Sequence, residues 1–104
     1  MSLKLSHTQF PNQYLCGILL LAQNIKSLTI INCSSFGDDA ANLLLSHLPN
    51  LKCVYFEELF ELQSLDYAHS SVRLQELCVR RAPRLLRITP NHCLIKLDVS
   101  QTAI

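Results

Sequence analysis

Four histidines, five cysteines and a few adjacent carboxylates are the side chains of this 104-residue sequence best equipped for chemistry. A zinc site needs imidazoles or thiolates brought together at short, regular spacings. His7, His47, His69 and His92 fall in four separate segments, with no H-x-x-x-H, no H-E-x-x-H and no C-x-x-C to complete such a site. No metal is therefore expected. His92-Cys93 sets a base beside a thiol, but sequence neighbours in a connector usually point apart, and Pro90 places these two in one; His92 reads as a solvent-facing loop residue. Asp38-Asp39 resembles half of a cation site, yet two carboxylates at a helix start are explained by the helix dipole. Glu57, Glu58 and Glu61 could do acid–base work only if something shifted their pKa values, and an open solvated face supplies no such cause. Gly17 and Gly37 are the only glycines, so neither G-x-G-x-x-G nor a P-loop can be written, and no cofactor is expected. The sequence reads as that of a protein without catalytic activity.

Cysteine usage points the same way. Cys16, Cys33, Cys53, Cys78 and Cys93 are odd in number and stand 17, 20, 25 and 15 residues apart, which is no disulfide framework. They read as small buried hydrophobes in a reducing compartment. With 49% hydrophobic and 16% charged residues the chain is too apolar to stay disordered. Nine Lys and Arg against eight Asp and Glu leave a net charge of +1, and only the stretch Arg80-Arg81 to Arg84 and Arg87 is locally basic, so nucleic acid is not an expected partner. The longest apolar run, Ile18 to Ala22, has five residues, whereas a membrane span takes about 20. MSLKLSHTQF lacks the apolar core of a signal peptide. A cytoplasmic protein without a membrane partner is expected.

The elements that must position these side chains repeat. Apolar residues recur at i, i+3 and i+5 in IKSLTI (25–30), LKCVYF (51–56), LQELCV (74–79) and LIKLDV (94–99), whose first residues stand 26, 23 and 20 positions apart. Leu3 and Leu5 supply a clipped first copy. A strand so patterned cannot bury its apolar side alone and must stack on a copy of itself. Between strands, 12–24 reads as a helix with Pro11 near its start, and 38–48 as a helix carrying Ala41, Leu44, Leu45 and Leu48 on one face, capped by Ser35 or Asp38 and ended by Pro49. The connector after the third strand has room for a turn or two of helix, and the one after the fourth is interrupted by Pro83 and Pro90.

The pattern resembles the leucine-rich-repeat superfamily, with its L-x-x-L-x-L-x-x-N/C-x-L signature. Ile25, Leu28, Ile30 and Cys33 match best, and cysteine at the last position is similar to the cysteine-containing and ribonuclease-inhibitor-like subtypes, in which that residue bonds the backbone of the turn. Thr8 would hold this position in the first copy, while Leu59, Ala82 and Thr102 depart from the cysteine or asparagine in the later ones. The resemblance implies an α/β solenoid in one domain, 1–104, of about four to five repeats, with a curved parallel sheet inside and helices or irregular connectors outside. It also implies protein recognition, as in F-box substrate receptors of ubiquitin ligases, nucleotide-binding immune receptors and bacterial effectors.

Strand residues alternate sides, so those between the apolar positions face outward on the concave side. Column by column across the sheet they read Lys4, Thr29, Tyr55, Cys78, Asp98; Ser6, Ile31, Glu57, Arg80, Ser100; His7, Asn32, Glu58, Arg81, Gln101; and Ser2, Ser27, Cys53, Glu76, Lys96. Parallel strands lie about 4.8 Å apart, so Glu57 should face Arg80, Glu58 should face Arg81 and Glu76 should face Lys96. The expected partner site is Tyr55, Glu57, Glu58, Arg80, Arg81, Thr29, Ile31 and Cys78, with Tyr55 as aromatic anchor in an apolar spot among charges. The expected function is non-catalytic binding of a protein partner. The alternatives are a structural or self-associating solenoid fragment joined through its terminal strands, or the substrate-receptor part of a ubiquitin-ligase adaptor.

Overall fold

The computed structural model describes residues 2–7, 17, 18, 20 and 22–104. Thr8, Cys16 and most of the helix expected over 12–24 lie outside them. The chain runs through strands β1 (Ser2–Ser6) and β2 (Ser27–Ile31), helix α1 (Asp38–His47), and strands β3 (Cys53–Glu57), β4 (Ser64–Asp66), β5 (Glu76–Arg80), β6 (Arg87–Thr89) and β7 (Lys96–Ser100). This is a mixed α/β fold with a parallel sheet in the order β1-β2-β3-β5-β7 and a second, two-stranded parallel sheet of β4 and β6. None of the helices among the described residues is long and apolar enough to cross a membrane.

The three inner long strands alternate a buried and an outward residue, as at Cys53–Glu57, because the repeated triplet sends one side chain in two towards a shared core; in the edge strands β1 and β7 no residue is fully buried. Leu28, Val54 and Leu77 lie side by side in register and are sealed from solvent, as are Ile30, Phe56 and Val79. Ile25, Leu51 and Leu74, just ahead of their strands, are buried as well. Each such side chain contributes about 1.5–3 kcal/mol on leaving water. A slip of one residue would turn a whole strand inside out, so the apolar rows hold the register.

Every strand of the main sheet ends in a residue of left-handed conformation: His7, Asn32, Glu58, Arg81 and Gln101, with φ between 48° and 57°. None is glycine, and the conformation costs an L residue roughly 1–2 kcal/mol. What offsets it is that the amide keeps its place in the ladder: His7 N donates to Ile31 O (2.9 Å), Asn32 N to Glu57 O (2.9 Å), Glu58 N to Arg80 O (3.0 Å) and Arg81 N to Ser100 O (3.0 Å). The reversal then turns the next side chain inward, so Cys33, Leu59 and Ala82 are buried. Cys33 Sγ donates to Ile31 O at 3.5 Å, whereas Leu59 and Ala82 fill the same place with apolar bulk.

Helix α1 corrects two expectations. Its N-cap is Gly37, with no side-chain cap from Ser35 or Asp38. Asp38 turns sideways instead: its Oδ1 accepts from the amides of Gln63 (2.7 Å) and Ser64 (3.1 Å). One helical turn later Asn42 accepts from Asp66 N (2.9 Å) and donates to Ser64 O (3.4 Å). The carboxylate is thus a backbone fastener as well as, with Asp39, a first-turn acid that suits the helix dipole. This also explains why the connector after β3 forms strand β4 where a turn or two of helix was expected. One edge of β4 is satisfied by α1 side chains and the other by β6, with Ser64, Leu65 and Asp66 opposite Arg87, Ile88 and Thr89. Ala41, Leu44, Leu45 and Leu48 are buried as the helical pattern requires.

Tyr67, just beyond β4, is 2% exposed, and its hydroxyl has no hydrogen-bond partner among the described residues. Burial pushes its phenol up to about 12 from the ordinary 10, with the nearby Cys93 adding to the effect. The folded chain therefore holds this proton longer than the unfolded chain does. The contribution to stability is full below about pH 10 and is lost as pH rises towards about 12, a gap of roughly 2–3 kcal/mol. Tyr67→Phe should be as stable as the parent or more so at about pH 8, because no hydrogen bond is lost, and should outlast it clearly at about pH 11. Urea unfolding of both proteins at each pH is the check; a Phe variant that loses stability in alkali as steeply as the parent would contradict this account.

Candidate functional site

The main sheet has one face packed on α1 and the connectors; the other carries the odd columns of side chains. All four expected columns are found in register: Lys4, Thr29, Tyr55, Cys78 and Asp98 are successive cross-strand partners, as are Ser6, Ile31, Glu57, Arg80 and Ser100, and Ser2, Ser27, Cys53, Glu76 and Lys96. The left-handed row His7, Asn32, Glu58, Arg81, Gln101 closes the face at the carboxyl ends of the strands. Tyr55, Thr29, Ile31, Cys78, Glu57 and Glu58 are half-buried, and Arg80 and Arg81 are exposed.

Side-chain pairing departs from the columns. Glu57 stands opposite Arg80 along the backbone, but one of its carboxylate oxygens accepts from the Tyr55 hydroxyl and the other lies 3.9 Å from Arg81 Nη1. Arg80 reaches diagonally to Asp98, 3.2 Å away. Arg81 binds Glu58 at 3.1 Å as its column requires, and its Nε donates to Gln101 Oε1 at 3.3 Å. Glu76 lies opposite Lys96, yet its carboxylate accepts from Cys53 Sγ at 3.6 Å. Side chains lean along a strand and reach diagonal neighbours as easily as direct ones, so register alone does not select the partner.

The result is two short polar networks, Tyr55-Glu57-Arg81-Glu58 and Cys78-Arg80-Asp98, flanking a shallow hollow lined in part by Cys53, Tyr55, Glu76, Cys78, Arg80 and Asp98. The bond to Glu57, with burial behind it, holds the Tyr55 phenol above its ordinary pKa. Burial first, and then Glu76, raises the Cys53 thiol; burial first, and then Asp98, raises the Cys78 thiol. Both sulfurs are thus protonated at neutral pH and are poor nucleophiles. Hydrogen bonding to Asp98 raises Arg80 further, so it is a permanent cation. Among the described residues no three His, Cys, Asp or Glu side chains gather closely enough to hold a metal ion. Exposed ion pairs such as Arg80 with Asp98 add little to stability in water; what the networks supply is a fixed arrangement of donors, acceptors and one aromatic ring.

Cys53, Glu76 and Asp98 belong to this hollow although sequence reasoning left them out of the site. Their column positions were the available signal, since each is a direct or diagonal neighbour of Tyr55, Cys78 or Arg80. The histidines His7, His47, His69 and His92 are all exposed and lie on different elements. Comparison with protein-family models, with curated proteins and with solved structures finds no match for this chain.

Proposed function

We propose that the chain is a leucine-rich-repeat solenoid of about four to five repeats that binds a protein partner through the concave side of its parallel sheet. The observation that carries this reading is the open face itself: five parallel strands in continuous register presenting Tyr55, Thr29, Ile31 and Cys78 beside Glu57, Glu58, Arg80 and Arg81. Tyr and Arg are the residue types enriched where interfaces concentrate their energy, and here their side chains are already held by Glu57 and Asp98. Side chains fixed before binding lose less freedom when a partner arrives, which favours recognition. A small apolar centre rimmed by charges matches the anatomy of a non-obligate interface. The reading assigns no reaction and needs no cofactor, and it places the protein in the cytoplasm on the grounds of its five unpatterned cysteines.

Affinity capture with the intact chain, run beside a Tyr55→Ala/Arg80→Ala variant whose fold is checked by circular dichroism, tests it. Truncating residues of this kind costs about 2 kcal/mol or more where they anchor an interface, so the variant should bind at least about tenfold more weakly. A partner held equally by both proteins would rule this face out.

A further inference from the structure

We infer that Cys53 and Cys78 form a binding site for a single soft metal ion, copper(I), held between their two sulfurs on the open face of the sheet. The inference goes beyond partner recognition and does not rest on it, since its test involves no partner.

The two cysteines stand at opposite corners of a square in the middle of the sheet. Cys53 lies opposite Glu76, and Tyr55 lies opposite Cys78 on the neighbouring strand; residues two apart in a strand share a face, so all four side chains rise on the same side. They line one hollow of about 280 Å³. Tyr55 leaves its centre open, because Glu57 accepts from the hydroxyl and draws the ring towards the carboxyl end of β3. Of the other described cysteines, Cys33 is buried beyond β2 and Cys93 lies in the connector before β7.

The spacing selects the ligand. Diagonal neighbours on adjacent strands are about 7–8 Å apart, whereas a disulfide requires Cα atoms within about 7 Å, and the buried Val54 and Leu77 hold β3 and β5 in register. A direct bond between the sulfurs is therefore disfavoured. An ion between them is not, since two metal–sulfur bonds of about 2.3 Å, as for zinc, span about 4.6 Å in line. Each thiol turns into the hollow by rotation about its Cα–Cβ bond, and Cys53 gives up only a weak thiol hydrogen bond to Glu76, 3.6 Å long. Zinc and iron–sulfur centres take three or four protein ligands, and among the described residues no third His, Cys, Asp or Glu side chain gathers with these two. Copper(I) favours thiolates and is satisfied by two of them. Both thiols are protonated at neutral pH, so binding passes two protons to solvent and leaves two thiolates around one cation, a single net negative charge. Arg80 and Lys96 line the hollow and offset that charge, against Glu76 and Asp98 in the same lining.

The test is a titration of the intact chain with copper(I), under reductant and without oxygen, against a chromogenic copper(I) chelator. It is run beside Cys53→Ser, Cys78→Ser and Cys93→Ser, each checked by circular dichroism. The parent and Cys93→Ser should each hold one ion per chain. Altering a group that merely orients a metal ligand costs about 10–100-fold in affinity, so removing one of two ligands should cost at least about a hundredfold in Cys53→Ser and in Cys78→Ser. Alkylation mapped by mass spectrometry needs no variant: bound copper(I) should shield Cys53 and Cys78 together and leave Cys93 reactive. Either of the two sulfurs remaining reactive in the loaded chain overturns the inference. So does copper(I) left wholly with the chelator, parental affinity in Cys53→Ser or Cys78→Ser, or half an ion per chain, the signature of one thiol from each of two copies.

Discussion

Phe56→Ala should remove about 3–5 kcal/mol of stability, most of what a domain of this size has to lose. Phe56 is fully buried in the middle strand of the sheet, and its ring meets that of Phe36 edge to face, with centroids 5.4 Å apart and planes at 60°. Phe36 comes from the connector ahead of α1, next to Ser35, whose φ is 67°. The ring pair therefore ties that turn to the sheet, and truncation leaves a cavity that β2, β5 and α1 cannot all collapse to fill. Urea unfolding should show a midpoint far below the parent's with an unchanged slope. Leu97→Ala is the internal control: it removes a residue of the neighbouring apolar row, but one already half in water, and should cost clearly less. Similar losses in the two variants would mean that the edge of the core is as well packed as its centre, contrary to this structure. Phe36→Ala combined with Phe56→Ala should fall short of additivity by about 0.5–1.5 kcal/mol, the worth of the ring contact beyond area.

Asn91→Ala is next in size, at about 2–3 kcal/mol, though it deletes no apolar contact. Among the described residues Asn91 is the one polar side chain that is buried, 8% exposed. Its Nδ2 donates to Val72 O at 2.6 Å and Ser70 O at 3.2 Å, and its Oδ1 accepts from Cys93 N at 3.1 Å. One side chain thus joins the connector before β5 to the connector before β7. Alanine leaves two carbonyls and an amide without partners where water reaches poorly. Asn91→Asp separates this account from simple packing. It keeps the bond from Cys93 but sets a carboxylate against the two carbonyls, so that variant should gain stability as acid protonates the introduced carboxyl into a donor. Thermal unfolding between about pH 4 and about pH 8 reads the effect; a variant no more stable in acid than its parent's own trend would show that Asn91 acts through its volume alone.

The strands and their register were legible in the sequence because an apolar residue in every second place has one consistent solution, and four copies of it name the same rows. The exposure of His92 and the buried face of α1 were legible for similar local reasons. Asp38 was not. Its setting at a helix start fits a dipole or a cap, and nothing nearby in sequence announces that its acceptors' partners are the amides of Gln63 and Ser64, 25 and 26 residues on. Strand β4 was missed for the same reason, since three residues carry too short a pattern, and its hydrogen bonds depend on α1 and β6. At the open face, the columns placed Glu57 beside Arg80, but the contest among Tyr55, Arg80 and Arg81 for that carboxylate turned on side-chain reach.

By itself, then, the sequence determined which residues of the three inner strands turn inward, that the five long strands line up side by side and which side chains share a column, because burial with period two is a local property that repetition makes unambiguous. Tertiary structure alone decided that Arg80 pairs with Asp98, that Glu57 takes the Tyr55 hydroxyl, that Asp38 and Asn42 fasten β4, and that Tyr67 is buried with its hydroxyl unmatched among the described residues. Those choices are made between groups brought within about 3 Å by the fold, where differences of tenths of an ångström and the loss of water outweigh any preference written along the chain.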